Sequence, residues 1–94
     1  MTTLKSSVRF SLGQVVITRG AISDIPANEV QECLLRHAVG DWGDVSQEDW
    51  SENDGALKNE SRLMSSYLSK AGVRFWIITE WDRSNTTILL PMEY

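Results

Sequence analysis

Val73-Arg74-Phe75-Trp76-Ile77-Ile78-Thr79-Glu80-Trp81 is the stretch that decides the fold. β-Branched and aromatic side chains fill it, and turn-forming clusters flank it: Ser69-Lys70-Ala71-Gly72 before, Asp82-Arg83-Ser84-Asn85 after. A strand held between two turns predicts a β-meander. Arg62–Leu68 runs one way, Val73–Trp81 returns, and Thr86–Leu90 follows until Pro91 stops it. With even-length hairpin loops, Met64, Leu68, Val73, Phe75, Ile77, Ile88 and Leu90 share one face. That face is apolar and is expected to be the core. The other carries Leu63, Ser65, Tyr67, Arg74, Trp76, Ile78, Glu80, Thr87 and Leu89. It is too apolar for water and too charged for a second core, the pattern of an interface or of a face covered by another element.

Upstream, Val15-Val16-Ile17-Thr18 between Gly13 and Gly20 predicts a short strand that joins this sheet. Asp24-Ile25-Pro26 offers a capping carboxylate and a helix-starting proline. Val30, Cys33, Leu34, His37 and Ala38 then fall on one helical stripe, and Gly40 sits where a C-terminal cap belongs. The helix over Asn28–Val39 is expected to cover the sheet's core face. Between it and the meander, residues 41–60 hold seven carboxylates against Lys58 alone. Ser46-Gln47-Glu48-Asp49 resembles a capping box, which predicts a helix through Gln47–Asn59, weakened or split near Asn53-Asp54-Gly55. Trp50 and Leu57, seven apart, can anchor it. The whole is a single α+β domain spanning residues 1–94, with 1–12 expected to be partly flexible.

Composition narrows the function. Nine basic against thirteen acidic side chains leave a net charge of −4, the wrong sign for a chain that grips phosphates through counterion release. One cysteine and one histidine cannot supply a four-ligand zinc site, and one histidine excludes a ribonuclease built on a histidine pair. The opening residues lack a secretory pattern and no run is long enough to span a bilayer, so the lone thiol is expected in the cytoplasm, away from membranes. There is no phosphate-cradling glycine loop and no Gly-x-Ser-x-Gly turn, and no cofactor is expected.

Four constellations remain. Cys33 and His37 are helix neighbours and could form a thiolate–imidazole pair, but both lie on the core stripe, which favours a structural role. Asp41 and Asp44 flank Trp42-Gly43 and could offer oxygens to a hard cation, though without the alternation of a calcium loop. A solvated acidic helix accounts for that region more simply. Glu80, Asp82 and Arg83 could position an anion or carry acid–base chemistry, or simply build a turn. Arg74 and Trp76, with Tyr67 beside them, form the one basic–aromatic grouping suited to nucleic acid, against the overall acidity.

Gly40-Asp41-Trp42-Gly43, then Asn53-Asp54 and Ala56, then the run Ile78 to Pro91 (Ile-Thr-Glu-Trp-Asp-Arg-Ser-Asn-Thr-Thr-Ile-Leu-Leu-Pro) resemble the small "plasmid-related" proteins of bacterial plasmids and integrated mobile elements. The resemblance implies a bacterial cytoplasmic protein in the company of transfer, defence or counter-defence genes, and no catalytic residues. The expected function is therefore a non-enzymatic interaction module. Its partner is an unidentified protein or a second copy of itself, met through Asp41, Trp42, Asp44, Tyr67, Arg74 and Trp76. A small hydrolase or nuclease-type toxin using Glu80, Asp82 and Arg83, and a nucleic-acid-binding regulator, are the alternatives.

Overall fold

The computed structural model describes residues 8–94. The expected flexibility of residues 1–7 lies outside the described residues. In chain order the elements are β1 (Gln14–Ile17), α1 (Arg19–Asp24), α2 (Ala27–Ala38), α3 (Gln47–Asn59), β2 (Leu63–Leu68), β3 (Arg74–Thr79) and β4 (Asn85–Leu89), closed by a 3-10 turn over Pro91–Glu93. The strands form one sheet in the order β1-β4-β3-β2. β2, β3 and β4 make the expected antiparallel meander, and β1 adds to it in parallel with β4. The fold is therefore α+β with a mixed sheet.

The register corrects the facial assignment of β2. Leu68 pairs with Arg74 and Leu63 with Thr79, so the loop between them has an odd number of residues. Its tip is three residues, Lys70-Ala71-Gly72, closed by the Ser69 N–H donating to Val73 O at 2.9 Å. Gly72 supplies the positive φ, +89°, that such a loop needs at its last position. One residue of slip turns every β2 side chain over. Leu63, Ser65 and Tyr67 thus lie with Phe75, Ile77 and Ile88, whereas Met64 and Leu68 lie opposite. The β3–β4 register, Ile77 on Ile88, agrees with the even loop expected there.

Two clusters fill the helix-covered side. Val30 and Cys33 of α2 and Ala21 of α1, with Ile25, pack on Tyr67, Phe75, Ile77, Ile88 and Leu90. Trp42, Ala56 and Leu63 form the second, joined by Phe10, Val45, Trp50 and Leu57. Both predicted anchors of α3 are therefore in contact with a core. α3 is capped by the Ser46 hydroxyl, which accepts from Asp49 N at 3.0 Å, and runs unbroken through Gly55. A mid-helix glycine costs only about 1 kcal/mol. Asn53 offsets it by bracketing β2, donating to Met64 O at 2.9 Å and accepting from Met64 N at 3.1 Å.

α1 is the element the sequence does not announce, and it displaces two expectations. Thr18 is its N-cap and not a strand residue, and Gly20 lies inside the helix instead of punctuating a strand. Asp24 caps nothing: α2 begins after Pro26 with no side-chain cap. α1 is held from the far end of the chain, where Glu93 accepts from the Thr18 hydroxyl at 2.5 Å and from Gly20 N at 2.9 Å. Residues 9–12 are also tied down: Arg9 N donates to Ala38 O at 2.9 Å, and Leu12 O accepts from the Thr86 hydroxyl at 2.7 Å.

Candidate functional site

The helices cover one face of the sheet. The other presents Val16 from β1, Met64, Ser66 and Leu68 from β2, Arg74, Trp76 and Ile78 from β3, and Thr87 and Leu89 from β4. Trp76 is central, between Ser66 and Leu89, and half-buried. Its ring meets Tyr94 edge-on at 5.8 Å, and the Arg62 guanidinium lies 5.5 Å over the Tyr94 ring. Arg74 donates to the Ser66 hydroxyl at 3.2 Å and pairs with Asp44 at 2.9 Å. Both partners of that pair are well exposed, so it orients Arg74 more than it stabilises the fold. Leu68 remains 55% exposed at the rim. The result is an apolar strip with an aromatic centre and arginines beside it.

Of the six interaction residues expected from sequence, this face gathers three: Asp44, Arg74 and Trp76. Tyr67 is the correction that follows from the odd loop. It is buried beneath α2, donates to Asp41 O at 2.6 Å, and carries the Arg36 guanidinium 4.8 Å over its ring. Trp42 is also buried, stacked with Phe10 and bonded through its indole N–H to Asp54 at 3.0 Å. Asp41 pairs with Arg36 at 2.8 Å and accepts from Gly43 N, which holds its carboxyl below the ordinary value. Asp41 and Asp44 are thus each engaged with a different arginine. Among the described residues, no three His, Cys, Asp or Glu side chains are grouped to hold a metal ion. Sequence reasoning missed Arg62, Tyr94 and Met64; a correct parity for β2 brings in Met64, but nothing local predicts that Tyr94 folds back over Trp76.

The Glu80–Asp82–Arg83 turn is held together by its own bonds. Arg83 donates to Ser61 O at 2.7 Å, Glu80 O at 3.1 Å and Ala56 O at 3.0 Å. Its guanidinium therefore sits on the last carbonyls of α3, where a cation suits the helix dipole. Asp82, exposed, accepts from Ser84 N at 3.0 Å. Replacing Arg83 with methionine keeps the stem and deletes the side-chain donors: Ser61 O loses its bond, and Ala56 O and Glu80 O are left with backbone amides alone. A loss of about 2 kcal/mol is expected. The check is the urea midpoint, with an unchanged m-value.

Cys33 and His37 are both buried, and burial raises the Cys33 thiol pKa. His37 belongs to a chain of buried groups whose proton order is determined by its end. The Thr86 hydroxyl donates to Leu12 O, so it must accept from Thr79, 2.7 Å away. Thr79 then has only a lone pair for His37 Nε2 at 2.9 Å, which makes Nε2 the protonated nitrogen. Nδ1 is left to accept from the Ser65 hydroxyl at 2.5 Å. This imidazole is neutral and locked in one tautomer.

No helix among the described residues is long and apolar enough to cross a membrane. Comparison with protein-family models, with curated proteins and with solved structures finds no match.

Proposed function

We propose that this chain is a non-enzymatic protein-interaction module of a bacterial mobile genetic element, acting in the cytoplasm through the face of its sheet opposite the helices. The observation that carries the reading is Trp76. A large ring at the centre of a four-stranded sheet stays only partly buried, under Tyr94 and between the buried Ile78 and Leu89, while all three helices pack on the opposite side. Apolar surface gathered around an aromatic and flanked by arginine is the composition of binding hot spots. A fitting partner presents an apolar side chain to Trp76, Met64 and Leu68, with a carboxylate facing Arg62. The genetic setting rests on the resemblance at residues 40–43, 53, 54, 56 and 78–91 alone.

The test is affinity capture from the bacterial host, with wild type compared against Trp76→Ser and against a chain in which Glu48, Asp49 and Glu52 are reversed to lysine. Loss of the captured protein with Trp76→Ser alone supports the reading. Loss with the helix reversal alone moves the surface to α3. A nucleic-acid mobility shift that persists at physiological salt and vanishes with Trp76→Ser replaces the protein partner with a nucleic acid, for which Arg62, Arg74, Trp76 and Tyr94 are the matching groups.

A further inference from the structure

The two edges of the sheet are treated differently. Along β2, the segment Trp42–Asp44 closes the outer side: Ser66 N donates to Trp42 O at 3.1 Å and Asp44 N donates to Ser66 O at 2.6 Å. Along β1 nothing equivalent occurs among the described residues. Gln14 N donates to Ser84 O at 3.0 Å and Thr18 N to Ile88 O at 2.9 Å, so the even-numbered backbone groups face β4. Alternation along the strand turns the N–H and C=O of Val15 and Ile17 outward, away from the sheet. Edge strands are usually blunted by shortness, which β1 has at four residues, or by lysine, proline or a bulge. Gln14-Val15-Val16-Ile17 carries no lysine, proline or bulge, and Val15 and Val16 are each 44% exposed.

We propose that β1 is a self-pairing edge, through which two copies of this chain join antiparallel about a two-fold axis at Val16 to form one continuous sheet. Outward amides and carbonyls in extended backbone select another extended strand, and this strand is self-complementary. With Val16 opposite Val16 of the second copy, Val15 of each faces Ile17 of the other, and every outward N–H and C=O of the two residues finds a partner. The contact is uncharged, so nothing in it repels its own image. Val16 also lies on the same sheet face as Trp76, so the pairing merges two open faces into one. This interface is separate from the Trp76 surface and does not depend on it.

The geometry has a covalent readout. At the non-hydrogen-bonded position of an antiparallel pair the Cα atoms lie about 4.5 Å apart, inside the range a disulfide spans. In a Cys33→Ala background, Val16→Cys is expected to give a disulfide-linked dimer on mild oxidation. Val39→Cys, comparably exposed at the end of α2, is expected to give none. Wild type should sediment with a mass that doubles at high concentration and halves on dilution. Val15→Pro deletes only an outward N–H, so it should stay monomeric with an unchanged far-UV spectrum. Should the proline disturb folding, Val15→Lys serves in its place. Trp76→Ser should leave the dimer intact. A wild-type chain that is monomeric at every concentration, equal cross-linking at positions 16 and 39, or a dimer that survives both Val15 variants overturns the proposal.

Discussion

Alanine at position 43 is expected to cost about 3–4 kcal/mol and to lower the thermal midpoint by more than 10 °C, with the urea m-value unchanged. Two effects add. Gly43 has φ +78°, a conformation in which a Cβ costs roughly 1–2 kcal/mol. That Cβ would also lie only 2.3 Å from the Ser66 carbonyl oxygen and 2.6 Å from the Tyr67 ring. Neither neighbour can retreat. Ser66 O is bonded to Asp44 N, and Tyr67 is pinned by its hydroxyl on Asp41 O and by Arg36 above its ring. Relief requires Trp42–Asp44 to leave the β2 edge, which would also pull Trp42 from its cluster. Gly72 is the internal control. Its φ is +89° with open space where a Cβ would go, so Gly72→Ala should cost only the conformational part. Equal losses at the two positions would show that close approach at Gly43 contributes nothing.

The same residues show which parts of the structure were legible in the sequence. Helix α3 was readable to its ends because its signals are local: a serine cap, acids in the first turn, and Trp50 and Leu57 a heptad apart. The β3–β4 hairpin was readable for the same reason. β2 was misassigned by one residue, because loop parity depends on whether Gly72 adopts a left-handed conformation, and the residues alone allow either. That single step put Tyr67 on the open face in place of Met64. α1 was illegible because its stabilising contact comes from Glu93, some seventy residues away, and because Gly20 reads as a breaker until its amide is seen bonded to that carboxylate. The turn at Glu80, Asp82 and Arg83 looked like chemistry because composition cannot distinguish an arginine that meets a ligand from one that meets backbone carbonyls.

Stability is expected to fall by about 2 kcal/mol between pH 7 and pH 5, and one residue accounts for most of the slope. His37, the chain's single histidine, is fully buried among Ser65, Thr79, Phe10 and Trp42, and burial, followed by repulsion from Arg83, lowers its pKa to about 3. In the unfolded chain the imidazole titrates near pH 6.5. Between those values the unfolded state binds a proton that the folded state refuses, so the contribution is complete above pH 6.5 and is lost as pH falls towards 3. Asp41, Asp82 and Glu93 are also held below their ordinary values, so their contributions fall with pH in the same direction, but the unfolded carboxylates titrate near pH 4 and most of that loss comes below pH 5. His37→Leu separates the two consequences of the imidazole. At pH 7 it leaves the Ser65 and Thr79 hydroxyls without their shared partner, at a cost of about 2–4 kcal/mol. From pH 7 to 5 its stability should be nearly flat. Urea titrations of both chains at those two pH values are sufficient, and a slope that survives His37→Leu would mean that the proton is taken up elsewhere.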